Sequence, residues 1–145
     1  MRAVIQRVNK SQVIVDQKTI ASIASGLLIL LGIEKGDNEN KADILAKKIA
    51  NLRIFADREG KMNLSILDIL GSVIVVSQFT LMADTRKGNR PSFIDAAPPE
   101  IAIPLVDYFV NAMQRQGVQT QVGEFGTHML VEIHNDGPVT ILLEA

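Results

Sequence analysis

Alternation of apolar and polar residues marks both ends of this 145-residue chain, and between them two stretches repeat their apolar residues at helical spacing. Residues 3–8 and 12–16 read as strands, and residues 27–33 as a third that follows the turn residues Ser25 and Gly26. The third is almost wholly apolar, as a strand buried on both faces requires. Asp37 then offers a helix N-cap, and Ile44, Leu45, Ile49 and Leu52 recur at helical spacing, which predicts a helix over about residues 37 to 51. A short apolar piece at 52–56 precedes the turn Asp57, Arg58, Glu59, Gly60, and the β-branched run 72–81 predicts a central strand.

Residues 85–99 show no period. Pro99 suits a first helical turn and Gly117 a C-terminal stop, with Val106, Phe109, Val110 and Met113 as the apolar stripe between them; Pro104 inside that window predicts a kink or a later start. Val118, Thr120 and Val122 alternate, as do Met129, Val131 and Ile133, and residues 139–143 close the chain as a last strand. Between the last two segments stand Asn135, Asp136, Gly137, Pro138, Val139 and Thr140. Asp-Gly between apolar runs is the ordinary signal of a two-residue hairpin turn, and Gly-Pro is common loop punctuation. No repeat or linker divides the chain, so residues 1–145 read as one α/β domain, a mixed β-sheet system with two main helices packed on one side.

Composition narrows the chemistry. There is no Cys, which removes disulfides, thiolate catalysis and Cys-based metal sites and suits a reducing compartment. The longest uninterrupted apolar run, residues 27–31, is far short of the about 20 residues of a membrane helix, and the N-terminal residues lack a signal-peptide core. The expectation is a soluble, cytoplasmic protein. A formal net charge of −1 argues against coating nucleic acid by bulk electrostatics, yet Arg86, Lys87 and Arg90 fall together on a loop-like segment, as do Lys47, Lys48 and Arg53 near the first helix.

Two histidines, His128 and His134, fall in or beside one expected strand with the same parity and would lie about 20 Å apart, beyond a common metal ion. Surface positions are the simpler reading. No G-x-S-x-G elbow and no glycine-rich phosphate loop is present. Ser77 and Thr80 stand at the end of the expected central strand, where hydroxyls more often satisfy backbone groups than attack a substrate.

Ser77, Gln78, Phe79, Thr80 and Leu81, taken with the run from Asn135 to Thr140, resemble the paired signature of the D-aminoacyl-tRNA deacylase family. Gly26-Leu27-Leu28, Gly60-Lys61-Met62-Asn63, Arg90-Pro91-Ser92-Phe93 and Gly123-Glu124-Phe125-Gly126 resemble family segments in the same order, so the likeness spans nearly the whole chain. Thr127, where the family usually has alanine, and Asn9-Lys10-Ser11-Gln12 depart from the pattern.

The resemblance implies a three-layer β/β/α fold and a homodimer with active sites at the subunit interface. It implies hydrolysis of the ester of D-aminoacyl-tRNA, and of glycyl-tRNA, with no cofactor and no metal. By the same likeness Ser77, Gln78, Phe79 and Thr80 form the catalytic segment, and Gly137 and Pro138, joined by a cis bond and supported by Arg7, enter the partner's site as a chiral gate. Phe125, Gly126 and Met129 would hold the terminal adenosine, and Arg86, Lys87 and Arg90 would meet the tRNA. With no histidine expected near Ser77, the proton acceptor implied is the 2′-hydroxyl of the terminal ribose. Two other readings fit the same segments: an editing module like the N-terminal domain of archaeal threonyl-tRNA synthetases, and a non-catalytic RNA-binding protein that keeps the fold.

Overall fold

A computed structural model describes residues 1–145. Strand β1 (Arg2–Val15) runs unbroken through both segments expected as separate strands. Nothing in Asn9-Lys10-Ser11 can stop it: the stretch has neither Gly nor Pro, and Ser11 is fully buried with its hydroxyl donating to the Glu132 carbonyl at 2.8 Å. The chain reverses at Asp16 and Gln17, both at positive φ, and returns antiparallel to β1. The return is made by β2 (Lys18–Ile23), which the sequence pattern did not reveal, and β3 (Gly26–Gly32), lying against successive halves of β1.

Helix α1 (Glu39–Ala50) follows, then the small hairpin of β4 (Phe55–Ala56) and β5 (Met62–Leu64). Strand β6 (Ser72–Ser77) lies parallel to β3. It is shorter than the expected 72–81 because its ladder ends there: Leu31 of β3 pairs with Ser77, and the following residues turn into a 3-10 helix, Phe79–Met82. Helix α2 (Pro99–Arg115) starts at Pro99 as expected and continues through Pro104. Pro104 lies only in its second turn and costs the hydrogen bond to Glu100, on an exposed part of the helix. Strand β7 (Gln119–Val122) is parallel to β6, and β8 (Leu130–Glu144) pairs with the free edge of β1.

The expected hairpin at Asp136-Gly137 is absent. Residues 130–135 and 140–144 both pair with β1 in one direction, so the run between them is a bulge within a single strand. Val8 pairs with Asn135 and Gln6 with Thr140, leaving Arg7 alone opposite residues 136–139.

Two apolar cores result. Ala3, Ile5, Leu27, Ile29, Leu31, Val73 and Val75 face α1 and α2. Val8, Val13, Ala21, Ile23, Leu28, Ile74 and Val76 turn the other way and are covered by Met129, Val131 and Ile133. Leu27, Leu28 and Ile29 are all fully buried, so β3 is covered on both faces as its composition required. The sheet curls over itself with the helices outside, a three-layer β/β/α arrangement. No helix is long and apolar enough to cross a membrane.

Asp37 does not cap α1; Asn38 does, its side chain accepting the Lys41 N–H at 3.1 Å. Asp37 is instead buried against the Met1 ammonium at 2.7 Å and also accepts from the Glu34 N–H at 2.7 Å and the Lys41 ammonium at 2.8 Å. Burial pushes its carboxyl up, but the Lys41 and Met1 cations and the Glu34 N–H together outweigh burial and hold it below the ordinary value of 3.8. Between the folded and unfolded values the unfolded chain binds more protons, so stability rises with pH there. The contribution is complete above 3.8 and is lost as the pH falls through the lower folded-state value. Asp37→Asn is therefore expected to lower unfolding free energy by about 3 kcal/mol at about pH 7, with the difference from the parent shrinking as the pH falls below 3.8 in urea titrations.

Candidate active site

Strands β3, β6 and β7 are mutually parallel, and their carboxyl ends open on the same side of the sheet. Open α/β sheets place ligands at such an end because the backbone leaves the ladder there and its polar groups become available. A cavity of about 330 Å³ lies at this position. Its walls are Leu31 at the end of β3 and Ile33 just after it, Val76, Ser77, Gln78 and Phe79 at the end of β6, Ala102 and Val106 of α2, and the turn 125–129 that leads into β8.

Why the β6 end folds this way is visible in two contacts. The Gln78 N–H donates to the Leu31 carbonyl at 2.8 Å, one last bond beyond the ladder. The 3-10 turn then crosses over Gly32, where a Cβ would stand 3.0 Å from the Gln78 carbonyl oxygen and 2.8 Å from the Met82 methyl. Only glycine lets the turn lie so close. The first N–H groups of such a helix, here those of Phe79 and Thr80, have no intrahelical carbonyl to reach. Gln78 Nε2 donates to Thr80 Oγ1, so the Thr80 hydroxyl is held facing Gln78; Thr80 is exposed and does not line the cavity.

Phe125, Gly126 and Met129, expected together, do line the cavity with Ser77, Gln78 and Phe79. The turn that carries them is closed by the Thr127 hydroxyl, which donates to the Glu124 carbonyl at 3.0 Å, with Gly126 at φ +75°. Gly123 allows Met129 to pack close, since a Cβ there would stand 2.8 Å from the Met129 sulfur. His128 belongs to this same turn and also lines the cavity, contrary to the expectation that no histidine stands near Ser77. It precedes β8 rather than lying within it, while His134 sits on β8 opposite Lys10. The signal was present in the sequence: His128 falls between two residues already assigned to one pocket wall.

Arg86, Lys87 and Arg90 are exposed on the loop after the 3-10 turn and do not line the cavity. Phe93, from the same loop, meets Phe79 edge-on with ring centroids 5.0 Å apart, which sets the loop beside the site. Arg86 is engaged by Asp84 at 2.8 and 2.9 Å and holds that carboxyl down to about 2. No group of three or more His, Asp and Glu side chains converges as metal ligands do.

Gly137 and Pro138, joined by a cis peptide bond, sit in the bulge of β8. Arg7 grips this bulge: its guanidinium is 3.0 Å from the Asp136 carboxylate, donates to the Asp136 carbonyl at 3.3 Å and also donates to the Ile54 carbonyl. Gly137 has φ +116°, and a Cβ there would approach Arg7 Nη2 to 3.1 Å. Gly137 and Pro138 are absent from the cavity of their own chain. Arg7 pairs with Leu27 and Ser77 with Leu31, four residues along β3, and three strand spacings separate β8 from β6. The bulge and the cavity of one chain are therefore roughly 20 Å apart.

A family model described as D-Tyr-tRNA(Tyr) deacylase matches residues 4–144. A protein of Roseiflexus castenholzii named D-aminoacyl-tRNA deacylase is 61% identical over 145 residues, which is all of this chain and 92% of that one. Among solved structures, one described as c-Myc DNA Unwinding Element Binding Protein superposes with a TM-score of 0.93 at 40% identity, over 100% of this chain and 99% of the other. Another, described as a probable eukaryotic D-amino acid tRNA deacylase, shares the fold with a TM-score of 0.81 at 15% identity, over 98% of this chain and 97% of the other.

Proposed function

This chain belongs to the D-Tyr-tRNA deacylase family, and from that membership we propose that it hydrolyses the ester joining a D-amino acid, or glycine, to the terminal ribose of tRNA. The observation that carries the reading is the single cavity walled by residues 77–79 and 125–129, segments far apart in sequence. One wall suits the reacting ester. The other, with Phe125 and Met129, suits stacking of a terminal base.

In this reading a water attacks the ester carbonyl, and the N–H groups of Phe79 and Thr80 stabilise the developing oxyanion. The Gln78 N–H is already committed to the Leu31 carbonyl and is unavailable for that task. The 2′-hydroxyl beside the ester relays the water's proton to the departing 3′-oxygen, so free amino acid and tRNA result. Ser77 and Gln78 position the substrate, and the Thr80 hydroxyl orients the Gln78 side chain without forming an acyl-enzyme.

Stereochemistry is selected by Gly137 and Pro138 of a second subunit. What supports a cross-subunit gate is the separation of roughly 20 Å within one chain, together with the Arg7 contacts that hold the bulge in one place. With the ammonium and ester carbonyl fixed, the two isomers differ only in which Cα substituent faces that backbone. A D residue presents hydrogen and an L residue its side chain, so the L isomer is excluded by collision rather than out-competed by attraction. Glycine has nothing to collide and passes.

The deciding assay offers D-tyrosyl-, L-tyrosyl-, glycyl- and L-seryl-tRNA. Release from the first and third alone is expected; release of L-serine would instead indicate an editing activity, and no release a binding protein. Arg7→Ala should leave D-tyrosyl release within about threefold while raising L-tyrosyl release about tenfold or more, checked against the parent at matched folded fraction. Thr80→Ala should slow turnover by no more than about tenfold, the cost of one hydrogen bond, whereas abolished turnover or a trapped acyl adduct on Thr80 would contradict the assignment.

A further inference from the structure

The cavity contains one ionisable side chain, His128; every other residue lining it is neutral. His128 is exposed, at the rim, and its backbone is fixed on both sides by the Thr127 to Glu124 bond and by Met129 packed over Gly123. The adjoining helix and turn add carboxylates, while Lys87 and Arg90 stand exposed on the loop that Phe93 sets beside the site and do not line the cavity. Asp107 of α2 lines a small neighbouring pocket with Gly123 and Phe125, and Glu124 is exposed in the same turn. The ends of β3 and β6 contribute no charged side chain to the cavity wall.

Given the function proposed above, on which this inference rests, the RNA end that enters the cavity carries a phosphodiester one linkage from the terminal ribose. That anion must leave past the rim, because the cavity is mostly apolar. The net charge of −1 supplies no general attraction for it, and of the loop cations Arg86 is paired with Asp84 while Lys87 and Arg90 lie outside the cavity wall. We propose that His128 is a positioning residue whose imidazolium binds the phosphodiester preceding the terminal nucleoside of the RNA. It holds the ester over residues 77–79 and takes no part in bond breaking.

The test measures equilibrium binding of uncharged tRNA, intact or lacking its terminal nucleotide and that nucleotide's phosphate, to the parent protein, His128→Asn and His128→Lys. Binding is measured at about pH 5 and about pH 8, the two ends of the range in which free imidazole changes charge. For intact RNA at the lower pH, His128→Asn should weaken binding about three- to tenfold, as for one exposed charge-assisted contact, and by less than about twofold at the higher pH. His128→Lys should bind as tightly as the parent at the lower pH and keep that affinity at the higher. On the truncated RNA all three proteins should bind alike, because the partner of the side chain is gone.

An unchanged affinity in His128→Asn, an equal loss on both RNAs, or failure of lysine to rescue would overturn the proposal. Single-turnover release at saturating protein should fall by no more than about tenfold in His128→Asn, the cost of an ester held less firmly over residues 77–79. A fall of about a hundredfold would make the imidazole a proton acceptor and overturn the positioning role. The binding measurement does not depend on hydrolysis. A parent protein that binds as described yet releases no D-amino acid would sink the deacylase reading and leave the phosphate contact standing.

Discussion

Strand β1 is paired along both edges, and that constraint locates every functional segment of the molecule. One edge holds β2 and β3 in succession, so residues 2–32 form a long hairpin. The other edge holds β8 over almost the same length. Because β3 is thereby fixed, β6 and β7 add to it in parallel, and three carboxyl ends come together where the cavity forms. Because β8 is fixed on the opposite edge, its bulge is carried away from that cavity and against Arg7. A shared strand thus holds the two signature segments apart within one chain while keeping each rigid.

The elements legible in the sequence were those whose pattern depends on local spacing alone. The doubly buried β3, both helices and the irregular stretch before Pro99 followed from runs and periods that the fold then respected. What escaped local reading was decided by partners. Residues 78–81 have strand composition, yet no neighbour offers a ladder beyond Ser77, so they turn instead. Asp136-Gly137 has hairpin composition, yet β1 is long enough to pair on both sides of it, so the chain runs straight on. Asp37 has cap chemistry, yet it is buried beside the Met1 ammonium and leaves the cap to Asn38.

The site was legible in the same uneven way. Ser77, Gln78, Phe79, Phe125, Gly126 and Met129 share one cavity, and Arg7 does reach the Gly137 bulge. Thr80 and the loop arginines stand outside the cavity wall; Thr80 accepts from Gln78, and Arg86 pairs with Asp84. His128 stands just before β8, which begins at Leu130, so the alternation over 129–133 does not tell which wall it joins. The turn 125–129, which has no period of its own, carries the one ionisable group of the cavity.

The bulge opposite Arg7 also sets the phase of its strand. On β8, Val139, Ile141 and Leu143 pack toward the helical core, while Val131 and Ile133, of the same odd parity, pack toward the other core. In a regular strand, residues of equal parity share a face. Between Gln6 and Val8 the bulge inserts three residues relative to β1, an odd number, which inverts the alternation; β1 makes a matching inversion with the single extra residue at Asn9. Strands that pass between packed layers turn corners by such bulges. An insertion or deletion of one residue in the 136–139 segment would therefore turn Val131 and Ile133, or the three residues beyond the bulge, toward solvent. The length of this segment is set by core packing before any role in recognition is considered, so Gly137 and Pro138 occupy a span in which residues can be exchanged but not added or removed one at a time.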